Sequence, residues 1–415
     1  MKRRMSYILP GIPVIPVLEV TGRMMAFLSV ILVTRILSVE DYGRYSYVLS
    51  IVLLVSVVMD GGINSLAFNN SLRNQLDELP SLFTTKNFFS LIAAVLFFAI
   101  IGVFKPDYFF LVMLATGSIF FTGSVAFVKM IARGQTEIRT DSLAIVAEPL
   151  FRIIVLGIIW IGGIVVGLEM LLLTLLLVSF LAFIVLYGLA KSRYPLDIGF
   201  SSIQVKKVFT SSRWYLMYYF ALVGIKRSEV VLLNGMLDTT SVAYYSAAFN
   251  IYLSLQLFFT AFVSSKLKLA VTSQWHDARR SVLQVAVYAI AVVLFVVLFA
   301  KVIFGVIYPV EYAHSHLFLQ YLVLGLPFYI MTEAGVYLLN YMHKTRQNAF
   351  VLATAMCVKV IMLLVVHPAS ITQFIFCYVF FETALGVIYL ALILRNAKRF
   401  FGTGNMKAVY ENTAG

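Results

Sequence analysis

Leu37-Ser38-Val39-Glu40-Asp41-Tyr42-Gly43-Arg44-Tyr45-Ser46 separates two long apolar segments near the start of the chain. Leu237-Asp238-Thr239-Thr240-Ser241-Val242-Ala243-Tyr244-Tyr245-Ser246 separates another two, 200 residues later. Leu37/Leu237, Tyr45/Tyr245, Ser46/Ser246 and Ile51/Ile251 coincide without gaps. The first stretch joins apolar spans one and two, and the second joins spans seven and eight. Six plus six spans of the same orientation imply parallel repeats about an axis along the membrane normal, with a substrate site expected between the lobes.

Composition sets the class. The chain has 415 residues, is 61% hydrophobic and 12% charged, and has a mean hydropathy of +0.94. Soluble domains are about 45–50% apolar and about 25% charged, so a water-soluble fold has nowhere to hide this surface. A bilayer-crossing helix needs about 20 apolar residues. About twelve segments qualify: 11–35, 43–66, 86–104, 108–131, 142–162, 165–190, 211–234, 241–265, 282–305, 315–340, 347–367 and 371–394. The expected fold is an all-α polytopic membrane protein of about 12 transmembrane helices. They form two six-helix lobes related by a pseudo-two-fold axis along the membrane normal. Residues 1–200 and 201–400 are the two lobes and 401–415 a cytoplasmic tail. The Lys191–Arg213 connection is long and basic, and its Val205-Lys206-Lys207-Val208-Phe209 pattern predicts a short amphipathic interfacial helix. Met1-Lys2-Arg3-Arg4 is followed by no small-residue cleavage site, so the N-terminus reads as a retained anchor.

Orientation follows from Lys and Arg. With the N-terminus in the cytoplasm, the loop cations outside the cell are Arg35, Arg44, Lys105 and Lys301; all others, Lys86, Lys129 and Arg133 among them, fall inside. That bias places both termini in the cytoplasm. The net charge of +13 is therefore a topology signal, and nucleic acid is not an expected partner.

Five cations remain within the spans: Arg23, Arg152, Lys226, Arg227 and Lys359. A charge at bilayer depth costs about 2.5–3.5 kcal/mol and lines a pathway or pairs inside the bundle. Glu19/Arg23 and Glu148/Arg152 are each four apart, on one helix face. Arg23 lies about 18 Å along its span and Arg152 about 15 Å, both near the midplane. Lys226-Arg227 lies about 23 Å along span seven, with Glu229 three residues from Lys226. Guanidinium groups grip phosphate oxygens through a planar fork, so Arg23, Arg152, Lys226 and Arg227 are the expected substrate-binding residues. Glu19, Asp60, Glu148, Glu333, Lys359 and Glu382 are candidates for coupling or ion pairing. Lys359 and Glu382 match in depth either side of Pro368, as hairpin partners would. Glu333 follows the Pro327 break, and Asp60 precedes Gly61-Gly62 as a cap for the following turn.

Leu37-Ser38-Val39-Glu40-Asp41-Tyr42-Gly43-Arg44-Tyr45, followed by a span ending in Asp60-Gly61-Gly62-Ile63-Asn64, resembles a known pattern. It is similar to that of the Wzx-type O-antigen flippases. These belong to the polysaccharide transporter family, within the multidrug/oligosaccharidyl-lipid/polysaccharide exporter superfamily. The resemblance covers nearly the whole chain. It implies two lobes that open alternately to each membrane face. It implies a bacterial inner-membrane protein that moves undecaprenyl-pyrophosphate-linked O-antigen repeat units to the periplasmic leaflet for lipopolysaccharide biosynthesis. An O-antigen polymerase and a chain-length regulator are the partners it implies.

Other chemistries find little footing. Cys357 and Cys377 make no disulfide framework, and His314 and His316 lack an acidic metal partner. No Gly-rich phosphate loop is present, so no cofactor, metal or ATP site is expected and no catalytic residue is assigned. A polyprenyl-dependent glycosyltransferase or polymerase would use Glu40-Asp41 in the first external loop. A drug/cation antiporter of the same superfamily would need an acidic cavity, against the buried cations.

Overall fold

The computed structural model describes residues 7–9, 12–196, 202–272, 275–341 and 344–401. A short ribbon pairs β1 (Tyr7–Leu9) with β2 (Ile12–Pro13). Helices follow: α1 (Val14–Ile36), α2 (Val39–Asp60), α3 (Ile63–Leu72), α4 (Leu79–Phe104), α5 (Phe109–Gly134), α6 (Ile138–Ile161) and α7 (Leu168–Lys191). After them come α8 (Ser202–Met236), α9 (Thr239–Thr272), α10 (Trp275–Ile307), α11 (Ser315–Val323), α12 (Leu326–Tyr341), α13 (Thr345–Val366) and α14 (Ile371–Phe401). The basic start Met1–Arg4 and the tail from 402 onward lie outside the described residues.

Nine of the described helices are long and apolar enough to cross a membrane. A tenth span is the α11–α12 pair, bent by 49° between Val323 and Leu326, next to Pro327. At 35 and 34 residues, α8 and α9 are also long enough, although α8 carries Lys226, Arg227 and Glu229 within it. The expected spans map onto these elements, and the protein is a multi-pass membrane protein. Large apolar side chains such as Phe104, Leu298 and Val365 point outward, so lipid is the solvent there.

Several boundaries differ from expectation, α8 and α10 beginning at Ser202 and Trp275 rather than 211 and 282 among them. The span expected over 43–66 breaks at Gly61 and Gly62, with φ of 59° and 74°. These left-handed residues end α2 and start the unexpected helix α3. Helix α4 begins at Leu79, seven residues before the expected 86. Ser81, Thr85 and Lys86 are buried in protein there, so hydropathy tuned to lipid misses the first two turns. The amphipathic segment 205–209 is the start of the continuous helix α8 rather than a separate interfacial helix; Ser201 lies outside the described residues.

The two motifs that opened the sequence reading place the same helix break 200 residues apart. Helices α1 and α8 end at Ile36 and Met236; α2 and α9 begin at Val39 and Thr239. The Ser38 hydroxyl accepts the Asp41 amide at 3.1 Å, and the Asp238 carboxylate accepts the Ser241 amide at 2.5 Å. Both are N-caps that satisfy otherwise orphaned amides. Glu40 and Asp41 sit in the first turn of α2, where negative charge is favoured, and Glu40 also binds Arg44 at 2.5 Å.

The chain divides into two compact units, Met1–Ala243 and Tyr244–Gly415. In the first, α1 packs along α6, α5 along α7, and α2 against α4, α5 and α8. In the second, α12 packs along α14, and α10 against α11.

Gly43 explains its place in the motif. A Cβ there would collide with the carbonyl of Thr239, within the first unit. Overpacking of this kind costs about 1–3 kcal/mol. Gly43→Ala is expected to lower the melting temperature in detergent, and Gly43→Leu to abolish folded yield; unchanged melting in both would remove this contact from the fold's requirements.

Candidate functional site

The first unit gathers cations at two levels. Arg152 on α6 and Arg227 on α8 both stand within electrostatic reach of the buried Tyr45 hydroxyl on α2. Each arginine lies nine residues before the end of its helix, about 14 Å from it. Tyr45 is six residues from the start of α2, about 9 Å. Three helices thus deliver polar groups to similar depths below the end that carries the α1–α2 turn. Arg152 donates to Glu148 at 2.6 Å, while its buried Nε has no partner. Glu148 also accepts from Thr122 at 2.8 Å and Ser179 at 3.2 Å, which ties α6 to α5 and α7. Lys226 and Arg227 are both half-buried, and the neighbouring Glu229 is fully buried. Because α6 starts at Ile138 rather than 142, Arg152 lies about 21 Å along it and not 15 Å.

Arg23 does not join that level. It lies 13 residues before the end of α1, about 20 Å, and so one to two turns deeper. Its Nε is 4.0 Å from Glu19. Glu19 reaches across to α5, 3.0 Å from Lys129 and 2.5 Å from Arg133. Arg133 in turn holds the fully buried Asp141 of α6 through two bonds, 3.2 and 3.1 Å. Sequence reading had placed Lys129 and Arg133 among the cytoplasmic loop charges. The available signal was their four-residue spacing on one helix face, which matches Glu19 and Arg23. At the same end, Glu137 binds Arg193 and the Tyr194 hydroxyl. Burial pushes the Tyr194 phenol above its ordinary pKa, against the opposing pull of Arg193, so it stays a donor.

A cavity of about 330 Å³ opens among α2, α3, α4, α5 and α8. Asp60, Asn64, Lys86, Ser90 and Thr122 line it together with apolar groups such as Leu53 and Phe120. Lys86 is 2% exposed; its ammonium donates to the Gly123 carbonyl at 2.6 Å and stands 5.8 Å from the Phe127 ring centre. The Gly62 and Asn64 amides bond to Asp60, so the carboxylate caps the turn as expected. One oxygen of Asp60 and the Asn64 side-chain oxygen have no partner. Sequence reading missed Lys86 as a buried cation, because it sits where a span was expected to begin.

The second unit holds its own polar cluster. Tyr378 donates to Glu382 at 2.9 Å, and Gln256 donates to Tyr378 at 3.2 Å. Lys359 is fully buried, 4.7 Å from the Tyr378 ring centre and 5.2 Å from that of Phe381. Lys359 and Glu382 thus share one cluster, joined through an aromatic ring. Glu333 accepts from Tyr329 at 2.7 Å, and the Tyr329 and Thr260 hydroxyls are 2.9 Å apart. Among the described residues no group of three or more His, Cys, Asp or Glu forms a metal-binding cluster.

Helical packing and buried charge together define a multi-pass helical membrane protein with a charged interior. Residues 8–267 match the family described as "Polysaccharide biosynthesis protein", and the chain belongs to that family. No curated protein matches it. Among solved structures, "Lipid II flippase MurJ, inward closed conformation" is similar at TM-score 0.68 and 14% identity, over 92% of this chain and 87% of that one. "Outward-facing conformation of a multidrug resistance MATE family transporter of the MOP superfamily" is similar at TM-score 0.57 and 14% identity, over 94% and 95%. The fold is thus the two-lobed, all-helical fold of these transporters.

Lys86 and Asp60 line the same cavity with opposite charge and attract each other there, so each is expected to lose support when the other is removed. Lys86→Met is expected to lower the detergent melting temperature, and Asp60→Asn added to it to recover much of the loss. Additive losses in the double mutant would show that the two are not coupled.

Proposed function

We propose that this protein is a flippase for undecaprenyl-pyrophosphate-linked O-antigen repeat units. It carries them from the cytoplasmic to the periplasmic leaflet of the bacterial inner membrane by alternating access. Both termini are cytoplasmic, and residues 1–200 and 201–400 are read as the two repeats. Arg152 and Arg227, each nine residues from the end of its helix and both near enough to act electrostatically on Tyr45, carry this reading. Two guanidinium groups from different helices, inside an apolar bundle, form a receptor for a diphosphate ester. Lys226 adds charge beside Arg227, and Arg23 supplies a lower step. Glu148 holds Arg152 when the head is absent and takes it back on release. Asp60, Glu333, Lys359 and Glu382 are proposed as coupling or ion-pair groups.

The energetics suit an anionic cargo. The cell interior is negative, and each elementary charge moved outward as an anion gains about 2.3 kcal/mol per 100 mV. A dianionic head therefore moves downhill by about 4–5 kcal/mol. An O-antigen polymerase and a chain-length regulator, both consumers of the flipped unit, are the proposed partners.

The glycosyltransferase reading loses its acidic pair, since Asp41 and Glu40 serve the start of α2. Charge-assisted hydrogen bonds contribute about 1.5–3 kcal/mol each. Arg152→Ala and Arg227→Ala are expected to cut repeat-unit flipping by roughly ten- to a hundredfold. Lipid-linked single units should accumulate on the cytoplasmic leaflet, while Arg→Lys variants retain partial transport. Full surface polysaccharide in both alanine variants would defeat the proposal. Glu40→Gln is expected to leave surface polysaccharide unchanged; its loss, with normal protein level, would favour an enzyme.

A further inference from the structure

Glu19 occupies a place that three cations have made for an anion. Arg23, Lys129 and Arg133 surround its carboxylate at 4.0, 3.0 and 2.5 Å. All four side chains are 22–44% exposed, so an outside anion can reach them. The partners of Arg133 are unequal. Asp141 is fully buried and held through two bonds, whereas Glu19 is accessible. Asp141 is thus a fixed partner and Glu19 an exchangeable one. Among the described residues, Glu19 is also the one carboxylate in ion-pair contact with Lys129. Helix α1 packs along α6, so the Glu19 bonds are a strap thrown across to α5. Part-exposed ion pairs are weak, and a phosphate offers more charge and more acceptor oxygens than a carboxylate.

The geometry points to Arg23, Lys129 and Arg133 as a docking site for a phosphate-bearing lipid head, with Glu19 as its built-in competitor. Both elements lie at the start of α1 and the end of α5, the cytoplasmic end in the proposed orientation. An arriving diphosphate displaces Glu19 and frees the α1–α5 strap. Arg133 keeps Asp141, so α5 and α6 stay joined. The head then has Arg152 and Arg227 as its next cations, one to two turns beyond Arg23 and about three turns along α6 from Asp141. This deepens the proposed flippase reading and rests on it for the identity of the lipid.

The test is equilibrium binding of a fluorescent long-chain prenyl diphosphate to the full chain in phosphatidylcholine nanodiscs. Loss of the internal competitor in Glu19→Gln should tighten binding roughly fivefold. Adding Lys129→Ala to it should weaken binding again. A bridge that is merely structural predicts unchanged or weaker binding in Glu19→Gln, and that result overturns the inference. Where Glu19→Gln lowers folded yield, Glu19→Asp, too short to keep both bonds, carries the same test. Phosphatidylglycerol competing equally would support the site and assign it to bulk anionic lipid; absence of competition assigns it to the diphosphate. Lost flipping in Arg227→Ala with unaltered binding in Glu19→Gln would sink this inference alone. Normal flipping in Arg152→Ala and Arg227→Ala with tightened binding in Glu19→Gln would sink the deeper site and spare the docking site.

Discussion

A cation inside an apolar helix must find its solvent within the protein. That requirement organises the charged interior of both units. Lys86 takes a backbone carbonyl and an aromatic face, and Lys359 takes two aromatic faces. Arg152 takes a carboxylate that is itself held by two hydroxyls. None of these arrangements resembles the solvated surface pair of a soluble protein. Each fixes a helix to its neighbours, directly for Lys86 and Lys359 and, for Arg152, through the α5 and α7 hydroxyls that hold Glu148.

The same requirement separates structural charge from usable charge. Asp141 and Lys359 are fully buried and bound in place. Glu19, Arg23, Lys129 and Arg133 are part-exposed and satisfied by partners that an incoming anion can replace. In the first unit cations run from Arg133 and Lys129 through Arg23 to Arg152 and Arg227. On the proposed reading, a staircase of cations at successive depths lowers the cost of moving a diphosphate through a low-dielectric bundle.

The helical class, the broken span at Pro327 and the role of Asp60 as a cap for the turn after it were legible from residues alone. Each rests on local chemistry. Twenty apolar residues make a span, a proline bends one, and a carboxylate accepts the amides of the turn that follows it. The Glu148–Arg152 and Glu19–Arg23 pairings were legible too, because four residues make one helical turn. Lys86, Lys129, Arg133 and Asp141 were not recognised. They sit at span ends, where hydropathy reads a charge as loop whether it meets water or a buried partner.

Sequence alone determined that this chain is a multi-pass helical membrane protein with a twice-used helix break at Ser38 and Asp238. Those properties follow from periodicity, solvation cost and capping, which act within a few turns of chain. Tertiary structure alone decided which cations meet. Glu19 and Arg133 are 114 residues apart and joined by a bond, while Arg23 stands on another level from Arg152 despite similar expected depths. Helix packing chooses such partners, because the azimuth and offset of each helix depend on the surfaces of its neighbours and not on its own charges.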